Sequence, residues 1–240
     1  MERWTETFRL RIYEVGPSGQ ATAVTMMNLF QDAASHHAES FDMGYAQLFP
    51  RDLGWVLTKF RLTVDRYPRY GETVTLQTWP RAPRRIFAYR DVAFFVEDEL
   101  IAVGTSVWCL LDLSARRAIS LNRVFKSFPS RDEQLYPDEI PSIPNLDVAW
   151  WRWSTVARNS ELDLNGHVNN TVYLGWALEC LSGERCPVGM PKDLLFSFRK
   201  EVARGDSVTS LAGLLGQNIT VHRLENGQGD EVARISMRWE

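Results

Sequence analysis

The chain has 240 residues, 45% of them hydrophobic and 12% aromatic, so it holds ample material for a core and wholesale disorder is excluded. A formal net charge of −3 lacks the basic excess of a general nucleic-acid binder. No apolar run approaches the ~18–20 residues of a membrane span, and Met1-Glu2-Arg3-Trp4 does not open into the apolar stretch of a signal peptide.

In chain order, residues 7–13 alternate polar and apolar side chains, the period of a strand with one buried face. A polar loop and a helix follow, with apolar positions at Met26, Met27, Phe30, Ala33, Ala34 and Ala38, in steps of three and four. Strands are expected over residues 55–65, 73–79, 86–96 and 100–111. Residues 128–147 then gather Pro129, Pro137, Pro141 and Pro144 with Asp132, Glu133, Asp138 and Glu139. Proline removes the backbone donor and forbids helix interiors, so this stretch is expected to be extended and exposed. It divides the chain into residues 1–128, a connector over 129–147, and residues 148–240. The second part begins with a tryptophan-rich strand over 148–156. Its helix carries Val172, Tyr173, Trp176, Ala177 and Cys180 on one stripe. Strands are expected over 194–201, 207–215, 219–224 and 232–239, with a turn at Glu225-Asn226-Gly227-Gln228-Gly229.

The two parts repeat one plan. Gly71-Glu72-Thr73-Val74-Thr75 matches Gly205-Asp206-Ser207-Val208-Thr209 in residue type at every position. Strand, helix and strands occurring twice indicate a duplicated α+β unit, in which an antiparallel sheet covers the stripe that one helix cannot bury alone.

Chemistry concentrates before the second helix, in Ser160-Glu161-Leu162-Asp163-Leu164-Asn165-Gly166-His167-Val168-Asn169-Asn170-Thr171. In an extended segment Asp163, Asn165 and His167 face one way, and Gly166 lets the backbone turn or approach a ligand. Asn169, Asn170 and Thr171 are capping types, and a helix start offers free N–H groups to an oxyanion. A polar loop with one cap needs one or two such residues, not all of them. Elsewhere, Cys109, Cys180 and Cys186 are odd in number and dispersed, which argues against a disulfide framework and for a reducing, cytoplasmic setting. Neither they nor His36, His37, His167 and His222 form a zinc-ligand spacing, so no metal and no cofactor is expected. His37 falls on the helix stripe and is expected to be packed or hydrogen-bonded.

The run Glu161-Leu-Asp163-Leu-Asn165-Gly-His167-Val-Asn169-Asn170-Thr-Val-Tyr173-Leu-Gly175-Trp176-Ala-Leu-Glu179 resembles the signature of acyl-acyl carrier protein (acyl-ACP) thioesterases, and Phe198-Arg199-Lys200-Glu201 extends the resemblance. It implies a tandem of two hotdog folds, each a long helix wrapped by an antiparallel sheet, and hydrolysis of fatty acyl-ACP to free acid and carrier. It implies catalytic roles for Asp163, Asn165, His167 and Glu201; Asn165 and a backbone N–H near Asn169 or Asn170 are the candidates to stabilise the oxyanion. Plant members carry cysteine directly after that glutamate; here Val202 stands there, which excludes a cysteine nucleophile at this position.

Aligning Gly71 with Gly205 sets Tyr67 opposite Glu201, and aligning the helix stripes sets Ser18, Gln20 and Thr22 opposite Asp163, Asn165 and His167. On that alignment the site exists once, in the second unit, and the first serves the acyl chain. Met26, Met27, Leu29 and Phe30 are candidates for lining its channel, although core packing explains them equally. The implied partner is an acyl carrier protein bearing a phosphopantetheine-linked acyl chain. Because carrier proteins are acidic, docking needs a local basic surface: Arg81, Arg84, Arg85 and Arg90, or Arg116, Arg117, Arg123 and Lys126. An acyl-CoA thioesterase, an enoyl hydratase and a non-catalytic acyl-binding module are the rival readings. Two fused units remove the need for the dimer of single hotdog proteins, while a homodimer stays open.

Overall fold

The computed structural model describes residues 2–136, 139–183 and 186–240. The chain divides into two compact units, residues 1–139 and 140–240. In the first unit β1 (Trp4–Arg9) precedes α1 (Ala23–Glu39) and the short α2 (Tyr45–Leu48); β2 (Leu53–Val64), β3 (Thr73–Arg84), β4 (Phe87–Val96), β5 (Glu99–Asp112) and β6 (Arg117–Ile119) follow. Its sheet is antiparallel in the order β1-β3-β4-β5-β2, with β6 on the end of β5. In the second unit β7 (Trp151–Val156) precedes α3 (Asn170–Glu179), then β8 (Pro191–Phe198), β9 (Ser207–Leu215), β10 (Ile219–Asn226) and β11 (Glu231–Trp239). Its order, β7-β9-β10-β11-β8, reproduces the first.

The repeat follows from burial. On α1, Met26, Met27, Leu29, Phe30, Ala33 and Ala34 are buried together, and Phe30 stacks on Phe60 of β2 with centroids 5.0 Å apart. On α3 the buried set is Thr171, Tyr173, Leu174, Trp176 and Ala177. Leu174, not Val172, completes that stripe. A fully buried Leu or Phe gains roughly 1.5–3 kcal/mol over exposure, so these stripes commit both helices to their sheets. Both long helices have a side-chain N-cap: Thr22 Oγ1 accepts the Thr25 N–H, and Asn169 Oδ1 accepts the Thr171 N–H. The second helix has 10 residues against 17 in the first. After Cys180 the stripe gives way to Leu181-Ser182-Gly183, and serine and glycine favour non-helical backbone.

The connector is less free than its prolines suggest. Pro137 and Asp138 lie outside the described residues, as does Met1. Before them the chain is strapped to the first unit: Arg131 N–H donates to Pro80 O, Trp79 Nε1–H to Glu133 O, Leu135 N–H to Asp91 Oδ2, and Tyr136 Oη–H to Thr63. After them it belongs to the second unit, where the buried guanidinium of Arg234 donates to Ile143 O, Pro144 O and Asn145 Oδ1. Main-chain carbonyls and amides that no strand pairs are satisfied in this way. The expected connector over 129–147 therefore divides, its first part going with one unit and its last with the other. Among the described residues no helix is long and apolar enough to cross a membrane.

Two buried histidines carry a pH consequence. His37 on α1 stacks on Trp4 and takes a hydrogen bond from Arg90 at Nδ1 (2.9 Å); burial first, then the Arg90 charge, pull its pKa down to about 4. His222 in β10 lies wholly buried beside Thr220 Oγ1 at 3.0 Å, and burial pulls it down to about 3. Both fold as neutral rings, whereas in the unfolded chain each takes a proton near ~6.5. The unfolded state thus binds more protons below that pH, and stability falls as pH drops from about 6.5 toward 4 for His37 and toward 3 for His222, by at most ~1.4 kcal/mol per pH unit for each ring. Melting temperatures across pH 7 to 4 should decline accordingly, and His37→Gln should flatten the curve; an unchanged slope would reject the assignment.

Candidate active site

The sequence that carries chemistry folds as a tight hairpin. Leu162 and Val168 form a bridge, Asp163 N–H donates to His167 O at 2.8 Å, and Gly166 N–H to Asp163 O at 3.0 Å. Gly166 sits at φ 78°, in the left-handed region that glycine enters without strain, and this closes the turn. Asp163 Oδ1 accepts the main-chain N–H of Asn165 at 2.8 Å and of His167 at 3.4 Å, as in an Asx turn. These contacts shape the hairpin through its main chain. Asn165 stands exposed at the tip, its side-chain amide without a partner among the described residues.

The hairpin is fastened to the loop after β8. Val168 N–H donates to Val202 O at 2.9 Å, and His167 bridges to Ala203. Glu201 is on that loop, beyond the end of β8, so the strand expected to reach 201 stops at Phe198. His167 Nε2 and Glu201 Oε2 lie 3.5 Å apart, their side chains 36% and 30% exposed, which leaves both reachable from solvent. Beside them α3 begins. The Asn169 N–H is committed to Glu161 O at 2.9 Å, and the Asn169 carbonyl oxygens cap Thr171 and Val172. The main chain of Asn169 is therefore no oxyanion donor. The Asn170 N–H, at the first helical position, has no acceptor among the described residues and keeps that capacity.

The first unit supplies a residue-by-residue control. Its hairpin has the same bridges and hydrogen bonds: Gly16 N–H donates to Gln20 O at 2.8 Å, Gly19 N–H to Gly16 O at 2.9 Å, and Ala21 N–H to Pro68 O at 2.7 Å, with Gly19 at φ 73°. This pairs Gly16, Ser18 and Gln20 with Asp163, Asn165 and His167. The alignment expected from the helix stripes is thus displaced by two residues, because an apolar period tolerates such slips where a hairpin does not. Tyr67 does pair with Glu201, since Pro68 and Val202 occupy matching places. Either way, the first unit offers neither imidazole nor carboxylate at the matching positions.

The other expected sites fare unequally. Met26, Met27, Leu29 and Phe30 are all buried in the core of the first unit. Arg90 does not belong to a docking surface: it is 9% exposed and donates to His37 and Thr78 Oγ1, because its position in β4 points inward. Arg81 is held by Asp91 at 3.6 Å and by Gln134 at 2.9 Å, with its side chain 13% exposed. Arg84 and Arg85 stand exposed at the β3–β4 turn, Arg84 beside Glu139 at 3.5 Å. Arg116, Arg117, Arg123 and Lys126 are exposed as well. Cys109 and Cys180 are buried, and the Cys180 thiol donates to Ser210 O. His36 is the one of the histidine pair that meets carboxylates: Glu6 at 3.0 Å and Asp32 at 3.7 Å, an exposed group in which the ring nitrogens face different acids. Burial of His37 on the stripe and the exposure of His36 follow from their places on α1.

Residues 2–126 match the acyl-ACP thioesterase N-terminal domain and residues 153–240 the acyl-ACP thioesterase C-terminal domain. A palmitoyl-acyl carrier protein thioesterase of Arabidopsis thaliana is 28% identical over 98% of this chain and 63% of its own length. An oleoyl-acyl carrier protein thioesterase of Coriandrum sativum is 31% identical over 87% of this chain and 62% of its own. The chain thus spans a little under two thirds of those curated relatives. The solved 12:0-ACP thioesterase from Umbellularia californica superposes with a TM-score of 0.88 at 26% identity, over 99% of this chain and 97% of that one. A structure from Lactobacillus plantarum gives 0.83 at 22% identity and supports the fold alone. The architecture is a double hotdog, and the chain belongs to the acyl-ACP thioesterase family.

Proposed function

We propose that the protein hydrolyses the thioester of fatty acyl-ACP, releasing the free acid and ending chain elongation. The observation that carries this reading is the imidazole–carboxylate pair of His167 and Glu201, 3.5 Å apart at the start of α3. Family membership and the relatives' names supply the substrate class.

A thioester carbonyl is already electrophilic, so the site must activate water, hold negative charge and release sulfur. Glu201 takes a proton from water as its oxygen bonds to the carbonyl carbon. The oxyanion is held by the Asn170 N–H and the Asn165 amide, donors each worth ~10²–10³-fold in rate. On collapse the carbon–sulfur bond breaks and His167 protonates the pantetheine thiolate. The proton on Glu201 returns to His167 across their short separation, which restores both groups. Asp163 contributes by shaping the hairpin that presents Asn165 and His167. Glu201→Gln keeps the shape and removes the base, so kcat should fall by roughly 10²–10⁴-fold with an unchanged melting temperature, measured as release of free thiol from acyl-ACP. Turnover near the wild-type rate would remove Glu201 from the mechanism.

The carrier docks, on this reading, through exposed basic side chains despite the net charge of −3. Arg84 and Arg85 at the β3–β4 turn are the remaining candidates of their cluster, since Arg90 is buried and Arg81 is held by Asp91 and Gln134. The three thiols are free, which suits a reducing cytoplasm. Attraction between exposed charges is screened over ~8–10 Å at physiological salt. We therefore expect kcat/KM for acyl-ACP to fall with salt and to fall again in Arg84→Glu/Arg85→Glu, while hydrolysis of a short acyl-pantetheine thioester is unaffected. Equal loss on both substrates would argue against electrostatic docking there.

A further inference from the structure

The two units share a backbone at the hairpin, at the helix start and at the following loop, so subtracting one from the other isolates what the second unit adds. Matching Thr22 with Asn169 as N-caps sets Met26 opposite Tyr173 and Leu29 opposite Trp176. Two apolar side chains in the first unit are thus replaced, in the unit that holds His167 and Glu201, by two aromatic residues that each carry a polar hydrogen.

Both polar hydrogens are aimed at the segments that hold the candidate site. The Tyr173 hydroxyl donates to Lys200 O at 3.5 Å, so it holds the main chain directly before Glu201. Its ring is buried and packs edge-on against Phe198, the last residue of β8, at 5.6 Å. One turn further along α3, Trp176 Nε1–H donates to Glu161 Oε1 at 3.2 Å. Glu161 Oε2 takes the Arg158 N–H at 2.7 Å and Glu161 O takes the Asn169 N–H at 2.9 Å, so this carboxylate ties the foot of the hairpin to the helix. The two rings touch each other, with centroids 5.5 Å apart. Glu14, the counterpart of Glu161, likewise accepts the Arg11 N–H at 2.7 Å, but Leu29 brings it no indole N–H.

We propose that Tyr173 and Trp176 are positioning residues, which act from consecutive turns of α3 to set the separation of Glu201 from His167. Tyr173 fixes the loop that bears the carboxylate, Trp176 fixes the hairpin that bears the imidazole, and their contact couples the two. The proposal rests on the catalytic reading of His167 and Glu201. Neither aromatic residue touches the reacting atoms; each works through the segment that it holds.

The test is Tyr173→Phe, which removes one oxygen and keeps the ring, measured alone and in the Glu201→Gln background. Misplacing a reacting group by about an ångström costs up to ~10²-fold, so kcat should fall roughly 10- to 100-fold, with KM for acyl-ACP within about twofold. The pH–rate profile is a second readout and should differ from wild type, because the geometry of the pair has changed. In the Glu201→Gln background the same substitution should cost nothing further. Trp176→Phe tests the other arm and carries the test if Tyr173→Phe fails to fold; it predicts the same split between kcat and KM. Wild-type kcat and pH profile in both variants, or an equal loss with and without Glu201, would overturn the proposal while Glu201→Gln stayed inactive. An active Glu201→Gln enzyme would instead defeat the catalytic reading itself.

Discussion

A main-chain hydrogen bond from Val168 to Val202, 2.9 Å long, joins the hairpin to the loop after β8. Without it, His167 and Glu201 would belong to unrelated parts of the chain. Several elements of the second unit serve that junction. Asp163 and Gly166 give the hairpin its shape, Asn169 starts the helix, and α3 supplies side chains to both partners of the bond. A net hydrogen bond contributes only ~0.5–1.5 kcal/mol. Its effect here is positional: it fixes which residues meet, while burial of the helix stripe provides the stability to hold it.

The first unit makes the same bond, from Ala21 to Pro68, at 2.7 Å. The frame is therefore independent of the chemistry mounted on it. Glycine at 16 and glutamine at 20 leave the hairpin intact, and Tyr67 turns the carboxylate position into a buried ring. That separation between scaffold and function explains why duplicated architecture does not imply duplicated activity: of the four proposed site positions only Asp163 also bonds to the hairpin main chain, and the first unit closes its hairpin with Gly16 there.

Much of this was legible in the sequence, and the limits were physical. The hairpin residues are contiguous, so Asp163, Asn165 and His167 announced themselves by spacing. Glu201 did not, because a lone carboxylate beside Lys200 looks like any solvated surface charge; only the family resemblance singled it out. The helix stripes were readable as periods, yet a period fixes an angle and not a register, and so the alignment of the two units slipped until the hairpin bonds corrected it. Arg90 looked like its exposed neighbours Arg84 and Arg85, since strand alternation sends one arginine inward and another outward while the composition stays the same. The pairing of Tyr173 and Trp176 with Lys200 and Glu161 left no signal at all, because both aromatics read as ordinary core.

The clasp of Arg234 on residues 143–145 has a consequence for variation. A guanidinium that grips carbonyl oxygens recognises atoms that every amino acid provides; within residues 143–145 Arg234 meets a side chain only at Asn145, while Glu231 holds the guanidinium from its other side. Position 143 is free to mutate as long as the direction of its carbonyl group survives, which Pro144 protects by restricting the backbone of the residue before it. Drift should thus accumulate along this stretch while the arginine that grips it stays fixed.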